Sequence, residues 1–481
     1  MTTAVLPIKR KIPVCRLHCR KLNLDIDLPS LSEVVSKLPQ AAILGGNPSK
    51  LQADGFSCWM AKPVEIFEFH AGQKEPFEKL QSFLNKYKPV KNIPENLPKG
   101  LFAGGWVGFF SYDLGRFTEP TAFPDSRVKD DLMLPLIRLL FYDRLIALDH
   151  RNNEFWLIVL ELDGDSETPQ EKLTTIANLL DKARAAQMPG LLPADLENVD
   201  FSHISSNITK DYYLRAFEKI KRHIYDGDVY QINFSQRFNC EYHARPIDLF
   251  HWQNRYNPSP YSAYINAGGF QIVSASPEMF ITIRDRSIST KPIKGTRKRL
   301  ETASGGANRI NAENFQQLLN SEKEKAELNM IIDLERNDVA RICIPGTRLV
   351  SQPRTIETHP SVFHAVATVS GRLRDDVNFC GVLKAMFPGG SITGAPKIRS
   401  MQIIDETEPA ARGVYTGSIG YIGLDDSVCL NIAIRTIIIK NNSAYVQTGG
   451  GIVADSDPQA EYDETLIKAR ALLAGTQAVN S

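Results

Sequence analysis

The chain has 481 residues, 23% of them charged and 43% hydrophobic, with a formal net charge of +1. That length accommodates about two to three average domains or one large composite domain. The near-neutral balance gives no electrostatic footing for nucleic acid or an anionic membrane, and no apolar run reaches membrane-spanning length.

Seven cysteines occur without CxxC pairing or metal-ligand spacing, which suits reduced thiols in the cytosol. The start, from Met1 to Arg10, lacks a long apolar core, so no signal peptide is expected and the expected location is cytoplasmic. In the first part of the chain, the Gly104–Gly115 passage is the most distinctive. Its glycines suit turns or close backbone packing. Phe141–Leu148 and Glu154–Leu160 are expected as neighbouring buried strands joined by the polar turn His150–Asn153. A helix is expected from about Thr168 to Gln187, ended by Pro189 and Gly190. Pro193 to Ser206 is the expected boundary between regions 1–200 and 205–475.

The second part opens on a helix that Thr209 can cap and Gly227 can stop, with Tyr213, Phe217, Ile220 and Ile224 as its apolar stripe. The next strand alternates: Tyr230, Ile232 and Phe234 face one way, Gln231, Asn233 and Ser235 the other. That polar stripe is either a solvated face or a pocket lining. In Ser287–Thr296, strand periodicity puts Thr290, Pro292, Lys294 and Thr296 on one face, and Gly295 permits a tight turn. Lys294 is either a solvated lysine or a nucleophile activated by partial burial.

Two Glu-x-x-Glu pairs, Glu324/Glu327 and Glu461/Glu464, each share one face of an expected helix. Each has a structural reading as well. Ser321 with Glu324 has capping-box spacing, and Glu464 with Lys468 has ion-pair spacing. Beside glycine-rich stretches, two acidic pairs favour Mg2+, which takes one or two carboxylates together with substrate oxygens and water. Phe387–Lys397 is expected as a glycine-rich loop entering a helix, with Pro396 in the first turn. Its spacing does not fit a nucleotide P-loop, because Ala395 stands where the lysine should be. Gly449–Asp455 is expected as a second backbone-exposing loop. Between them, Cys429–Ile439 is a buried-looking strand interrupted by Arg435. A guanidinium there needs an anion, either an internal carboxylate or one on a substrate.

Six ordered motifs carry a resemblance: Ser274–Phe280, Pro292–Thr296, Ala326–Asp338, Gly389–Lys397, Ile434–Thr436 and Gly449–Ser456. Together they resemble the chorismate-utilising enzymes, over residues 205 to 475 and more weakly through Gly104–Arg116. The resemblance implies an α+β sandwich of antiparallel sheets with helices outside. Anthranilate-forming members usually carry alanine at the position of Lys294, so this lysine points to the aminodeoxychorismate-forming branch. Isochorismate-forming members place a water-activating lysine where Gln231 stands, and glutamine cannot act as that base.

The resemblance further implies that Lys294 attacks chorismate at C2 while Glu278 protonates the departing C4 hydroxyl. It assigns Mg2+ to Glu327 and Glu464, supported by Glu324 and Glu461. Thr296, His364, Thr393, Tyr415, Arg435, Gly450, Gly451 and Lys468 would meet the substrate, with Gln231 and Asn233 lining the pocket. The sequence carries no glutaminase-like Cys-His-Glu arrangement, so ammonia is expected from a separate glutamine amidotransferase subunit. Some members bind tryptophan in the first half. Asn257–Ser262 keeps part of that pattern, while Leu44-Gly-Gly-Asn departs from it. The alternatives are an anthranilate-forming enzyme and a non-catalytic scaffold for an amidotransferase.

Overall fold

The computed structural model describes residues 15–46, 55–87, 90, 93–123, 128–186, 190, 199–300, 307–359 and 362–480. Local signals set the helix starts. Thr168 Oγ1 accepts from the Glu171 amide at 3.2 Å while Glu171 Oε2 accepts from the Thr168 amide at 2.7 Å, a reciprocal cap on the Pro169–Ala185 helix. Thr209 caps the Lys210–Tyr225 helix, which buries Tyr213, Phe217 and Ile220 and half-buries Ile224; Gly227 follows at φ 78°. The expected end of the first of these helices, at Gln187 to Pro189, lies outside the described residues.

The strands form two antiparallel sheets, of 12 and 10 strands among the described residues. One core fills the space between them: Phe56, Cys58 and Leu145 of the larger sheet pack with Val107, Leu140 and Tyr421 of the smaller. Helices cover the outer faces. Leu31, Leu173, Phe250 and Leu472 pack on Trp59, Leu157 and Ile437 of the larger sheet, and Phe77, Leu328 and Leu383 pack on the smaller. This is the expected α+β sandwich. Both sheets draw strands from either side of residues 193–206, of which 193–198 lie outside the described residues. Ala42–Leu44 pairs with Tyr261–Asn266, and Gly105–Phe110 pairs with Ser418–Gly423. Gly108 is required there, since a Cβ would collide with the Arg138 carbonyl of the adjacent strand. No helix among the described residues is long and apolar enough to cross a membrane.

Four expected segments differ in ways that matter for the site. Phe141 and Tyr142 end the Ile137–Tyr142 strand of the smaller sheet, and the chain changes sheets at Asp143 before Arg144–Asp149. Cys429–Ile439 is likewise two strands, Val428–Asn431 and Thr436–Lys440, in different sheets; Arg435 makes the crossing at φ 50°. Gly449–Ile452 is not a loop but the end of the Ser443–Ile452 strand, paired with Gln231–Glu241. Ser287–Thr296 is broken at Pro292, which has no N–H to donate, into Ser287–Lys291 and Ile293–Lys298. The second piece shifts register between Ile293 and Thr296, with Gly295 at φ 94°. Lys294 therefore sits in a bulge, and simple alternation does not set its direction.

Candidate active site

The bulge leaves Lys294 half-buried at the junction of several elements. Burial pushes its amine below the ordinary lysine range, against the opposing charges of Glu327, Glu278 and Glu464. Glu278 lies in the turn between Gln271–Ser276 and Met279–Arg284 and is 5% exposed. Burial pushes its carboxyl up, against the Ser391 hydroxyl and the Lys294 charge. Its Oε1 has no hydrogen-bond partner. The two groups are thus displaced toward a neutral amine and a protonated acid, the pairing that acid-assisted nucleophilic attack needs.

The two acidic pairs arrive on separate helices, Glu322–Ile342 and Pro458–Asn480, and both helices act on the lysine through Glu327 and Glu464. The structural reading of each pair is visible as well. Ser321 Oγ accepts from the Glu324 amide at 3.4 Å, but the Glu324 carboxylate turns away to Arg297 at 2.7 Å, leaving Oε2 buried and unpartnered. Glu461 Oε1 accepts from Ser456 Oγ at 2.6 Å, and burial raises its carboxyl. Lys468 Nζ lies 2.6 Å from Glu464 and donates to the Gly449 carbonyl at 2.9 Å. Gly450 gives these carboxylates room, because a Cβ there would approach Glu461 Oε2 to 2.9 Å.

Among the described residues no three His, Cys, Asp or Glu side chains are gathered tightly enough to hold a metal. The donor set still fits a hard divalent ion. It is all carboxylate oxygen, it includes the orphaned Glu324 Oε2, and magnesium takes only one or two protein carboxylates beside substrate and water.

Arg435 is half-buried with no carboxylate paired to it among the described residues, and burial lowers its pKa. The internal-partner reading of this guanidinium therefore has no support among the described residues. His364 faces the same region: its Nδ1 lies 2.8 Å from Thr296 Oγ1 across paired strands. Burial, with the Arg435 charge second, depresses the imidazole to about 3, so it is neutral at ordinary pH.

The polar stripe of Gln231–Glu241 is not solvated. Gln231 is fully buried with neither amide atom bonded, and Asn233 Oδ1 is also buried and unpartnered. Gly451 pairs with Asn233 and lies against the Gln231 amide, where a Cβ would come within 2.9 Å of Nε2. Thr393 commits its hydroxyl to the Gly389 and Gly390 carbonyls at 3.0 and 3.2 Å, so it braces the loop. Tyr415 is buried, and burial raises its phenol. Pro396 occupies the N-cap of the Lys397–Thr407 helix rather than its first turn.

Sequence reading missed Ser391, Glu335, Glu408 and Arg412. Glu335 Oε1 accepts from the Gly390 amide at 3.3 Å beneath the loop. Ser391 sits inside the expected glycine-rich loop without being singled out, and capping, periodicity and glycine signals do not mark the other three. A cavity between the sheets is lined by Leu44, Gly45, Phe102, Tyr261, Ser262 and Asn431, so it takes in part of both the Leu44 and Asn257–Ser262 runs. Asn47 lies outside the described residues.

The sandwich is similar to that of anthranilate synthase component I from Streptococcus pneumoniae TIGR4. Its solved structure matches with TM-score 0.72 and 30% identity, over 88% of this chain and 92% of that one. A family model described as chorismate binding enzyme matches residues 42–474, and the chain belongs to that family. Curated relatives divide between two activities. Aminodeoxychorismate synthase component 1 of Bacillus subtilis (strain 168) is 38% identical over 77% of this chain and 76% of its own length. Anthranilate synthase component 1 of Acetivibrio thermocellus is 37% identical over 85% and 82%.

Proposed function

We propose that the chain aminates chorismate to 4-amino-4-deoxychorismate, the aminodeoxychorismate synthase component I reaction on the way to p-aminobenzoate and folate. The observation that carries this reading is the placement of Lys294, where anthranilate-forming members usually have alanine. Its half-buried amine lies under the influence of Glu278, Glu327 and Glu464.

In this reading Arg435 and Lys468 hold substrate oxygens, with Thr296, His364, Thr393, Tyr415 and the Gly450 and Gly451 amides around the ring. The neutral Lys294 amine bonds to C2 as the ring double bond shifts and the C4–O bond breaks; Glu278 gives its proton to the departing oxygen, which leaves as water. The Lys294 nitrogen is then a secondary ammonium that keeps its proton. Ammonia then bonds to C4, the double bond returns, and the C2–N bond breaks. Glu278 takes a proton from the incoming nitrogen, and Lys294 leaves as the neutral amine. Dividing one difficult displacement into two is what a covalent nucleophile offers.

Glu327 and Glu464 would hold Mg2+, with Glu324 and Glu461 supporting them. The ion supplies neutralisation of the substrate's carboxylate charge. Ammonia would come from a separate glutamine amidotransferase subunit, in keeping with the "component 1" names of the relatives. A cytoplasmic setting belongs to the same reading.

The second reading is anthranilate formation, favoured by relatives of that name at nearly equal identity. Chromatographic identification of the product from chorismate, Mg2+ and ammonium decides between them. 4-Amino-4-deoxychorismate is expected. Fluorescent anthranilate would establish the second reading, and an absence of turnover would establish a scaffold.

A further inference from the structure

Arg412 takes no part in the chemistry above, yet three walls of the site meet on it. Its side chain is 1% exposed and that of its partner Glu408 is 3% exposed. Nε donates to Glu408 Oε2 at 2.8 Å, and Nη2 donates to Glu408 Oε1 and to the Asn233 carbonyl, both at 2.7 Å. Nη1 donates to the Ile392 carbonyl at 3.1 Å and to Thr416 Oγ1 at 3.3 Å. The guanidinium lies 4.7 Å from the Tyr112 ring centroid and 5.8 Å from that of Tyr415. Glu408 in turn accepts from the Ser235 amide at 2.9 Å and the Ser235 hydroxyl at 2.7 Å.

A buried ion pair is weak evidence for stability, since apolar residues of like volume often replace one at little cost. What a planar guanidinium uniquely does is fix several acceptors at set angles. Apart from the two Glu408 oxygens, each acceptor here belongs to a site segment. Asn233 lines the pocket, Ile392 precedes Thr393, and Thr416 follows Tyr415. We infer that Arg412, held in place by Glu408, is a positioning residue that sets the Asn233, Thr393 and Tyr415 walls against the reacting ring. The inference rests on the proposed chorismate site and does not depend on which amine product leaves it.

The test compares Arg412→Lys and Ser235→Ala with the unaltered protein in chorismate turnover with ammonium. Rates are expressed per folded molecule, with the folded fraction taken from thermal melts. Lysine keeps the charge but cannot span the five acceptors, and a wall displaced by ~1 Å costs ~100-fold. Arg412→Lys is therefore expected to lower kcat by about that factor while KM for chorismate stays within about threefold. Ser235→Ala removes one bond to Glu408 and is expected to lower kcat severalfold with KM unchanged. If Arg412→Lys does not fold, Ser235→Ala decides alone. Unchanged kcat per folded molecule in the deciding variant would overturn the inference and leave the pair purely structural. Failure of the chorismate reading itself would appear separately, as no turnover by the unaltered protein.

Discussion

Glu278 and Lys294 perturb each other across one site, and burial drives their proton affinities in opposite directions, the carboxyl up and the amine down. The active form needs the acid protonated and the amine free. Activity should therefore fall as pH rises through the Glu278 pKa and fall as pH drops through the Lys294 pKa. Glu278→Gln should lower kcat by ~100- to 10,000-fold, the range of a lost general acid. It should also remove the alkaline limb of the profile. A pH–rate series on both proteins checks this, and an unchanged alkaline limb would assign it to another group.

For the carboxylates, Glu327→Gln and Glu464→Gln should each raise the Mg2+ concentration needed for half-maximal activity by at least ~10-fold, about 1.4 kcal/mol of lost binding. The fold should survive, because neither side chain is part of the buried core. Magnesium titration of activity, alongside a thermal melt, separates the two effects. Equal magnesium dependence in all three proteins would place the metal elsewhere.

Arg435 bears on substrate binding. A charged hydrogen bond contributes about 1.5–3 kcal/mol, so Arg435→Met should weaken chorismate binding by roughly 10- to 150-fold. No internal carboxylate is stranded by the change, since none is paired with it among the described residues, so melting temperature should hold or rise. Fluorescence titration with chorismate and a melt together test this. Strong destabilisation would point to an internal partner.

Stability has its own pH signature at Asp113. Burial raises this carboxyl to about 6, although it accepts from the Gly413 amide at 2.8 Å. A raised acid favours folding below its unfolded value, near 4, and that contribution is lost as pH rises through about 6. The loss is at most about 3 kcal/mol. Asp113→Asn keeps an acceptor without the charge, so it should flatten the decline in unfolding free energy between pH 4 and 7. Urea unfolding at both pH values reads the difference.

Much of this was legible because it is local. The cap at Thr209 and the shared faces of the two glutamate pairs follow from spacing within a turn or two. The position of Lys294 was less so. Pro292 breaks the strand and Gly295 adds a left-handed step, and together they cancel the period of two. Arg435 looked like a charge within one strand because the crossing between sheets leaves no composition signal. Arg412 was invisible for a stronger reason: its acceptors at 233, 392 and 416 converge only in the folded chain.

The most direct test of the whole account is intact-protein mass spectrometry after rapid acid quench with chorismate and Mg2+, without ammonia. The unaltered protein should carry an adduct of chorismate less one water, mapped by peptide digestion to Lys294, and Lys294→Ala should carry none. An adduct that persists in Lys294→Ala, or maps to another side chain, would contradict it.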